Sequence, residues 1–441
     1  MSREKYFIET WGCQMNLHDS ERMAGILAGM GFEPALRADE ADLILLNSCA
    51  VRDKAEQKVY TRLGELRMLK RKRPDLLIGL CGCVAQLEGA SLLKKQGRGV
   101  DILIGPRGIP DLPKRIREAR RVGKSIDLSY RKDAVLYEPE EVLHGTFPKA
   151  FVNVMEGCNM NCAFCIIPRT RGREIYRPAD KILEEIRLLA NDRFLEVELL
   201  GQTVNAYRDG KCRLSDLLER IHSIDGIQRI RFTTSHPLLM NRRLMDSIRD
   251  LPKVCSYLHL PVQSGSNSIL KSMQRGYSRE VYREKIDYLR KDREISIGTD
   301  IIVGFPGESD RDHDDTLSLI SAIGFDIIYS FKFSSRPGTI AAEMPDPVPE
   351  NVKSRRLQEL QALQVVIQRE RNLKLIGRNL EVLVTGRSRK SVEELSGRSE
   401  CHRVVNFTGP DTLLGHLAPV VVQGAGVHHL SGKWLPETGS A

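Results

Sequence analysis

The sequence predicts an α/β protein in three parts: an N-terminal open βα sheet domain, a (βα)6 partial barrel and a small C-terminal antiparallel β-barrel. Three observations carry this. Short apolar runs alternate with amphipathic stretches through residues 3–120, and six further strand–helix units follow from Ala150. Beyond residue 377 the pattern changes to short alternating runs between Gly- and Ser-rich turns. At 441 residues the chain exceeds one ordinary core. Its 41% hydrophobic and 28% charged residues exclude a disordered or membrane-embedded protein. No apolar run reaches the roughly eighteen residues of a membrane span, and Met1-Ser2-Arg3-Glu4-Lys5 lacks a signal-peptide core. A cytoplasmic chain with no membrane partner is therefore expected. Ten cysteines without an export signal read as metal ligation in a reducing compartment. The net charge of +9 permits a phosphate-bearing partner without requiring one.

In the first part, Tyr6–Thr10, Ala41–Asn47 and Leu76–Leu80 are strand candidates, followed by Cys13, Cys49 and the pair Cys81 and Cys83. A fourth strand, Val100–Ile104, has no cysteine. Helices are expected over Asp19–Met30 and Lys54–Arg73, the second stopped by Pro74. Ligands of parallel sheets collect at the carboxyl ends of the strands, where these cysteines fall. The pattern alone divides evenly between one shared site and separate structural thiols. Residues 121–143 lack a clear period and read as a linker.

The second part, residues 144–374, has strand candidates at Ala150–Met155, Leu195–Leu200, Arg229–Thr233, Ser256–Leu260, Ser296–Val303 and Ile327–Phe333. Helical patterns such as Ala179–Asn191 and Glu280–Arg290 lie between them. Active residues of such barrels sit on the loops after the strands. After the first strand comes Gly157-Cys158-Asn159-Met160-Asn161-Cys162-Ala163-Phe164-Cys165, with cysteines at C-x3-C-x2-C spacing. Thiolates suit iron–sulfur clusters and zinc, but structural zinc wants four ligands and no fourth Cys or His is near in sequence. Three ligands leave one corner of a [4Fe–4S] cube open. Three buried structural thiols are the rival reading.

The third part, residues 377–437, reads as strands at Leu380–Val384, Arg403–Phe407, Val420–Val422 and near Trp434, a five-stranded antiparallel barrel. Cys212, Cys255 and Cys401 have no partners in sequence and read as structural. The terminal Leu435-Pro436-Glu437-Thr438-Gly439 matches a sortase motif without the apolar segment that anchoring needs, and reads as coincidence or a cloning remnant.

The cysteine loop resembles the cluster motif of radical S-adenosylmethionine (SAM) enzymes, with Phe164 at its aromatic position. Thr10-Trp11-Gly12-Cys13-Gln14-Met15-Asn16, Asn47-Ser48-Cys49-Ala50-Val51-Arg52 and Gly82-Cys83-Val84-Ala85-Gln86 resemble the three cysteine motifs of the methylthiotransferase N-terminal domain. The last part resembles the TRAM module of RNA-modifying enzymes. By this resemblance the chain is identified as a member of the methylthiotransferase family of radical SAM enzymes, transferases acting in tRNA modification. The resemblance implies a SAM-binding [4Fe–4S] cluster on Cys158, Cys162 and Cys165. It implies a second, auxiliary [4Fe–4S] cluster on Cys13, Cys49 and Cys83, with Cys81 outside the motif. Implied SAM contacts are Phe164, Gly201, Gln202, Ser235, Gln263 and Gly304. Gly201-Gln202-Thr203 stands where the superfamily has Gly-Gly-Glu, so the SAM amine falls to Gln202 or to local carbonyls. His236 is expected to hydrogen-bond locally. Implied RNA-facing residues are Arg387, Arg389, Lys390, Arg398 and Arg403. Implied partners are the tRNA anticodon loop, a one-electron reductant protein and a sulfur donor system, with the chain as a monomer. The motif forms Gln14-Met15-Asn16 and Cys49-Ala50-Val51-Arg52 imply N6-isopentenyladenosine 37 as the substrate, gaining SCH3 at C2. That carbon is an unactivated aromatic C–H, which calls for a radical formed by reductive cleavage of SAM. The alternatives are the same chemistry on threonylcarbamoyladenosine 37 or on a ribosomal-protein aspartate, and, from another class, a non-catalytic iron–sulfur RNA-binding or electron-carrier protein.

Overall fold

Every residue of Leu43–Ser48 and Leu77–Gly82 is buried, as in strands covered on both faces. The computed structural model describes residues 3–50, 53–96, 99–133, 137–389 and 391–436. Strands β1 (Lys5–Trp11), β2 (Leu43–Ser48), β3 (Leu77–Gly82), β4 (Ile102–Ile104) and β5 (Ser125–Asp127) lie parallel in that order, and Glu33–Pro34 extends the outer edge of β1. Helices α1 (Gln14–Gly29), α2 (Asp53–Lys72), α3 (Cys83–Gln96) and α4 (Leu112–Val122) connect them. Alternate strand residues feed two cores, Ile44, Leu46, Ile78 and Leu80 on one face and Leu43, Leu45, Leu77 and Ile102 on the other.

The stretch read as a linker, 121–143, departs from that expectation. Its first residues complete α4 and form β5, so the sheet extends past residue 120. Further on, Tyr137 is buried between two guanidiniums, with Arg22 4.2 Å and Arg177 4.1 Å from its ring. Arg22 belongs to the sheet domain and Arg177 to the second part, so this segment is a wedge clamped by cation–π contacts. Residues 134–136 lie outside those described.

In the second part, β6 (Lys149–Asn153), β7 (Glu196–Leu200) and β8 (Arg229–Phe232) form one parallel sheet, and β9 (Tyr257–His259), β10 (Ser296–Val303) and β11 (Ile327–Lys332) another. A parallel bridge between Ile230 and Val254 joins them, so the six strands follow one another around an open arc. Helices α6 (Ala179–Asn191), α7 (Leu214–His222), α8 (Arg242–Asp250), α10 (Arg279–Leu289), α11 (Asp310–Ile323) and α12 (Glu350–Leu373) alternate with the strands or follow the last, while α5 (Ile167–Thr170) and α9 (Asn267–Ser272) are short turns. Val152, Val197, Leu199, Ile230, Leu258 and Ile297 build the core. The intervening strand positions carry charge instead: Arg231 pairs with Glu196 at 2.9 Å, and Lys149 pairs with Glu198.

The C-terminal strands β12 (Asn379–Arg387), β13 (Glu394–Ser399), β14 (Val404–Thr408), β15 (Leu417–Ala425) and β16 (Leu430–Trp434) close a barrel in the order β12-β13-β14-β16-β15. One pair, β14–β16, is parallel, which the all-antiparallel expectation missed. The reason is parity: five strands cannot alternate direction all the way around a ring.

This barrel docks at the amino ends of the arc's strands. Arg229 donates to the carbonyls of Arg398 (2.9 Å) and Glu381 (2.7 Å), and Arg231 to those of Ser399 (2.7 Å) and Glu400 (3.0 Å). The His402 ring stacks on Tyr257 at 4.2 Å. Arg403, expected to face RNA, instead turns inward. It is buried, and donates to Asp326 at 2.5 Å and to Asn372 at 2.7 Å. Removing Arg403 takes a guanidinium from the buried Asp326, which keeps Arg371 at 2.6 Å, and leaves the Asn372 side-chain oxygen without its donor. Arg403→Ala is expected to cost about 3 kcal/mol and loosen the barrel, read by calorimetry and by proteolysis near Gly377. Burial works to raise the Asp326 carboxyl, but Arg403 and Arg371 outweigh it and hold it below its ordinary 3.8. A lowered carboxylate stabilises the fold above its ordinary value and loses that contribution as pH falls through the folded value. Docking is therefore expected to weaken below about pH 4 in the native chain, with less acid dependence in the Arg403→Ala variant.

Candidate metal centres

The cysteine loop after β6 is shaped by its backbone. Gly157 has φ +81°, and a Cβ there would lie 2.2 Å from the Arg173 carbonyl oxygen, so only glycine fits. Its N–H donates to Gln202 Oε1 at 2.5 Å, and Cys158 N–H to the Gly172 carbonyl at 3.1 Å. Cys158 is buried, while Cys162 and Cys165 are half-buried. Burial raises the Cys158 thiol and pushes Cys165 up to about 12. Thiolates at Cys158 and Cys165 therefore need a compensating cation, which iron would supply.

Donors from the other strand ends converge on these sulfurs. Thr203, after β7, places its hydroxyl 3.1 Å from Cys158 Sγ, and Met160 N–H donates to the same sulfur at 3.4 Å. After β8, His236 Nδ1 accepts from Leu238 N–H at 3.2 Å, so the neutral ring carries its proton on Nε2, 3.9 Å from Cys162 Sγ. Burial, with Arg275 and Lys285 nearby, lowers this imidazole to about 3 and keeps it neutral. The local hydrogen bond expected of His236 is there, together with this contact. Arg275 donates to Cys162 Sγ at 3.1 Å. Phe164 packs beside Phe305 of the loop after β10. Thr203 lies in the stretch singled out for SAM, not for a cysteine, and Arg275 had no signal in the sequence, because each reaches the loop through the fold rather than through spacing.

Among the expected SAM contacts, Ser235 is buried with its hydroxyl unpartnered among the described residues, and Gln263 has φ +76° after β9. Gly201 is buried at the end of β7, and a Cβ on it would lie 2.5 Å from Met155 Cγ. Gly304 has φ +72°, which favours glycine, and a Cβ there would lie 2.4 Å from Lys353 Cγ of α12.

The other three cysteines also meet. The register aligns Trp11, Ser48 and Gly82, so the chain leaves three neighbouring strands together. Cys49 N–H donates to the Trp11 carbonyl at 2.9 Å. A Cβ on Gly12 would lie 2.9 Å from Cys49 Cβ, which fixes that position as glycine. Cys13 caps α1, and its N–H donates to Asn16 Oδ1 at 3.3 Å. Asn16 in turn bonds Asn47 Oδ1 at 3.1 Å. The helix thus begins at Gln14, five residues before the expected Asp19. A hydrogen bond with Cys49, against the opposing effect of burial, lowers Cys13 to about 6, and Arg171 adds to the lowering. Cys83 is raised by burial, which the charge of Arg171 partly offsets. Cys81 points into the opposite core beside Met23 and Leu27, with its thiol pushed up to about 12.

The N-terminal set lies where the sheet domain meets the second part. Cys13 packs with Met15 against Phe151 of β6 and Leu200 of β7. Arg171, a few residues after Cys165, is buried and donates to Asp19 of α1 at 2.5 Å. Among the described residues, no three His, Cys, Asp or Glu side chains converge as one metal ion requires. A lone zinc would draw thiolates to within about 4 Å of one another, whereas a cube ligates each thiolate at a separate iron. The donor sets fit clusters.

Residues 5–105 match the family described as "Uncharacterized protein family UPF0004", and residues 152–320 the Radical SAM superfamily. The chain is 46% identical over 444 aligned residues to a tRNA-2-methylthio-N(6)-dimethylallyladenosine synthase of Methylococcus capsulatus, covering 98% of this chain and 96% of that one. The chain belongs to the tRNA-2-methylthio-N(6)-dimethylallyladenosine synthase family. Members from Legionella pneumophila (Corby) and Carboxydothermus hydrogenoformans are 45% and 43% identical, covering 98% of this chain and 98% and 99% of theirs. Among solved structures, the radical SAM methyltransferase TsrM of Kitasatospora setae superposes with TM-score 0.58 at 14% identity, covering 78% of this chain and 77% of that one, and shows the fold alone.

The expected RNA-facing residues divide. Arg387 and Arg389 are exposed, Arg398 is half-buried with Nη1 on the His402 carbonyl at 3.1 Å, and Arg403 is buried. Lys390 lies outside the described residues. No described helix is long and apolar enough to cross a membrane.

Proposed function

We propose that this chain is a radical SAM methylthiotransferase that converts N6-isopentenyladenosine at position 37 of tRNA to its 2-methylthio derivative. The observation that carries the reading is the presence of two three-cysteine sets, one on the loop after β6 and one at the aligned ends of β1, β2 and β3, in a chain whose relatives at 43–46% identity bear that name. A [4Fe–4S] cluster on Cys158, Cys162 and Cys165 supplies the electron that cleaves SAM, and one on Cys13, Cys49 and Cys83 supplies an iron that binds sulfur.

The protein's own part is positional. Thr203, Met160 N–H and Arg275 donate to the thiolates of the first site. Gln202 fixes Gly157 with its carbonyl oxygen, and with neighbouring backbone carbonyls offers acceptors for the SAM amine. Met15, Phe151 and Leu200 keep water from the side of Cys13 that meets β6 and β7. Residues 144–374 form the catalytic core in this reading. The module at 377–437 offers Arg387 and Arg389 to the phosphate backbone, which positions the anticodon loop without reading sequence. The target base leaves its stack in that loop at modest cost. A one-electron reductant protein and a sulfur donor complete the cycle around a monomeric, cytoplasmic enzyme.

The test is anaerobic. Protein reconstituted with iron and sulfide is given SAM, dithionite and isopentenylated tRNA, and digested nucleosides are read by mass spectrometry. The 2-methylthio isopentenyl nucleoside is expected. If 5′-deoxyadenosine is released without it, the substrate assignment falls and threonylcarbamoyladenosine 37 is tried next. If neither forms in protein shown to hold both clusters, the reading as an enzyme falls.

A further inference from the structure

Arg275 is 5% exposed, a guanidinium taken almost wholly out of water. A buried cation needs an anion or a full set of acceptors. Among the described residues no carboxylate pairs with it. Its Nε donates to the Tyr277 hydroxyl at 3.0 Å and Nη2 to the Pro261 carbonyl at 2.9 Å, both neutral acceptors. The remaining arm reaches Cys162 Sγ at 3.1 Å, so that sulfur is the anion to which this cation answers. The placement is built rather than incidental. Both neighbours depart from ordinary backbone, Gln274 at φ +57° and Gly276 at φ +72°, and together turn Arg275 inward. Tyr277 is itself held, its hydroxyl donating to the Val262 carbonyl at 2.9 Å.

We propose that Arg275 is a positioning residue that raises the reduction potential of the cluster on Cys158, Cys162 and Cys165, by directing a buried positive charge and an N–H at the Cys162 sulfur. The proposal rests on the reading that this loop holds a cluster. A [4Fe–4S]2+ core with three thiolates carries one net negative charge, and taking up one electron from an external one-electron donor makes it two. The added charge sits beside the guanidinium in a medium that screens poorly, so the reduced form gains more than the oxidised form. Hydrogen bonds to cluster sulfurs act in the same direction. The neighbouring His236 ring, neutral, adds no charge. Arg275 thus eases delivery of the electron that SAM cleavage consumes, without touching SAM.

The experiment is a redox titration of the full, reconstituted chain with dithionite, followed by electron paramagnetic resonance. The signal of this cluster is identified by its change on adding SAM. In Arg275→Gln the ratio of reduced to oxidised cluster at the wild-type midpoint is expected to fall at least tenfold, 59 mV for one electron, with the second cluster's signal unmoved. Arg275→Lys keeps the charge but not the directed N–H, and is expected to fall in the same direction by less. A Gln variant that holds its iron and titrates like wild type overturns the proposal, as does a Lys variant that falls as far as Gln. Should the Gln variant lose the cluster, Arg275→Lys decides, and no fall there overturns it. A wild-type chain with no SAM-sensitive signal instead defeats the cluster reading itself.

Discussion

Cys158→Ala abolishes SAM cleavage: release of 5′-deoxyadenosine on reduction is expected to fall on the order of 10³-fold or more, to background. Cys158 is the most deeply buried of its set, and Thr203 and Met160 N–H both donate to its sulfur. Alanine there removes a ligand and leaves two donors facing a void, so the loop loses both its metal and the reason for its shape. The protein is expected to remain folded, because the strand before the loop is held by the parallel register of β6 with β7 and not by the cysteines. Chromatographic quantification of 5′-deoxyadenosine, beside a circular dichroism spectrum, separates loss of chemistry from loss of fold. Wild-type levels of cleavage would remove Cys158 from the site.

Cys13→Ala separates the two sites. Reductive cleavage of SAM is expected to continue within a few-fold of wild type, while formation of methylthiolated nucleoside falls to background. Iron content is expected to drop from about eight to about four per chain. The separation follows from the architecture. Cys13 belongs to the turn between β1 and α1, packs beside Phe151 and Leu200, and bonds Asn16 of its own helix. Nucleoside analysis and iron assay on one preparation check both halves. Methylthiolated product from this variant would end the assignment of Cys13, Cys49 and Cys83 as one site.

The sequence made the cysteines legible for different reasons. Cys158, Cys162 and Cys165 declare themselves by local spacing. Cys13, Cys49 and Cys83 share no spacing, and needed three strands in register to bring them together. Helices with strong apolar periodicity, such as Ala179–Asn191, fall where the pattern places them. The start of α1 was missed because its cap is a cysteine bonded to Asn16, not a Ser or Asp with a familiar signature. Arg403 is read as an RNA contact from the resemblance to the TRAM module, which says nothing of what this arginine meets inside the fold. Its partner, Asp326, is distant in sequence and lies at the foot of another strand. Arg275 was invisible for the same reason: a single arginine in a loop carries no pattern until the fold shows what it points at.

The aligned ends of β1, β2 and β3 set an order of assembly. Cys158, Cys162 and Cys165 lie within one short loop, and closing so few residues costs little chain entropy. The second set lies on three parallel strands, whose pairing is non-local and slow to form. Its ligands therefore meet only after the sheet has folded. When the whole chain refolds from denaturant with iron present, the N-terminal site is therefore expected to fill only as its sheet returns.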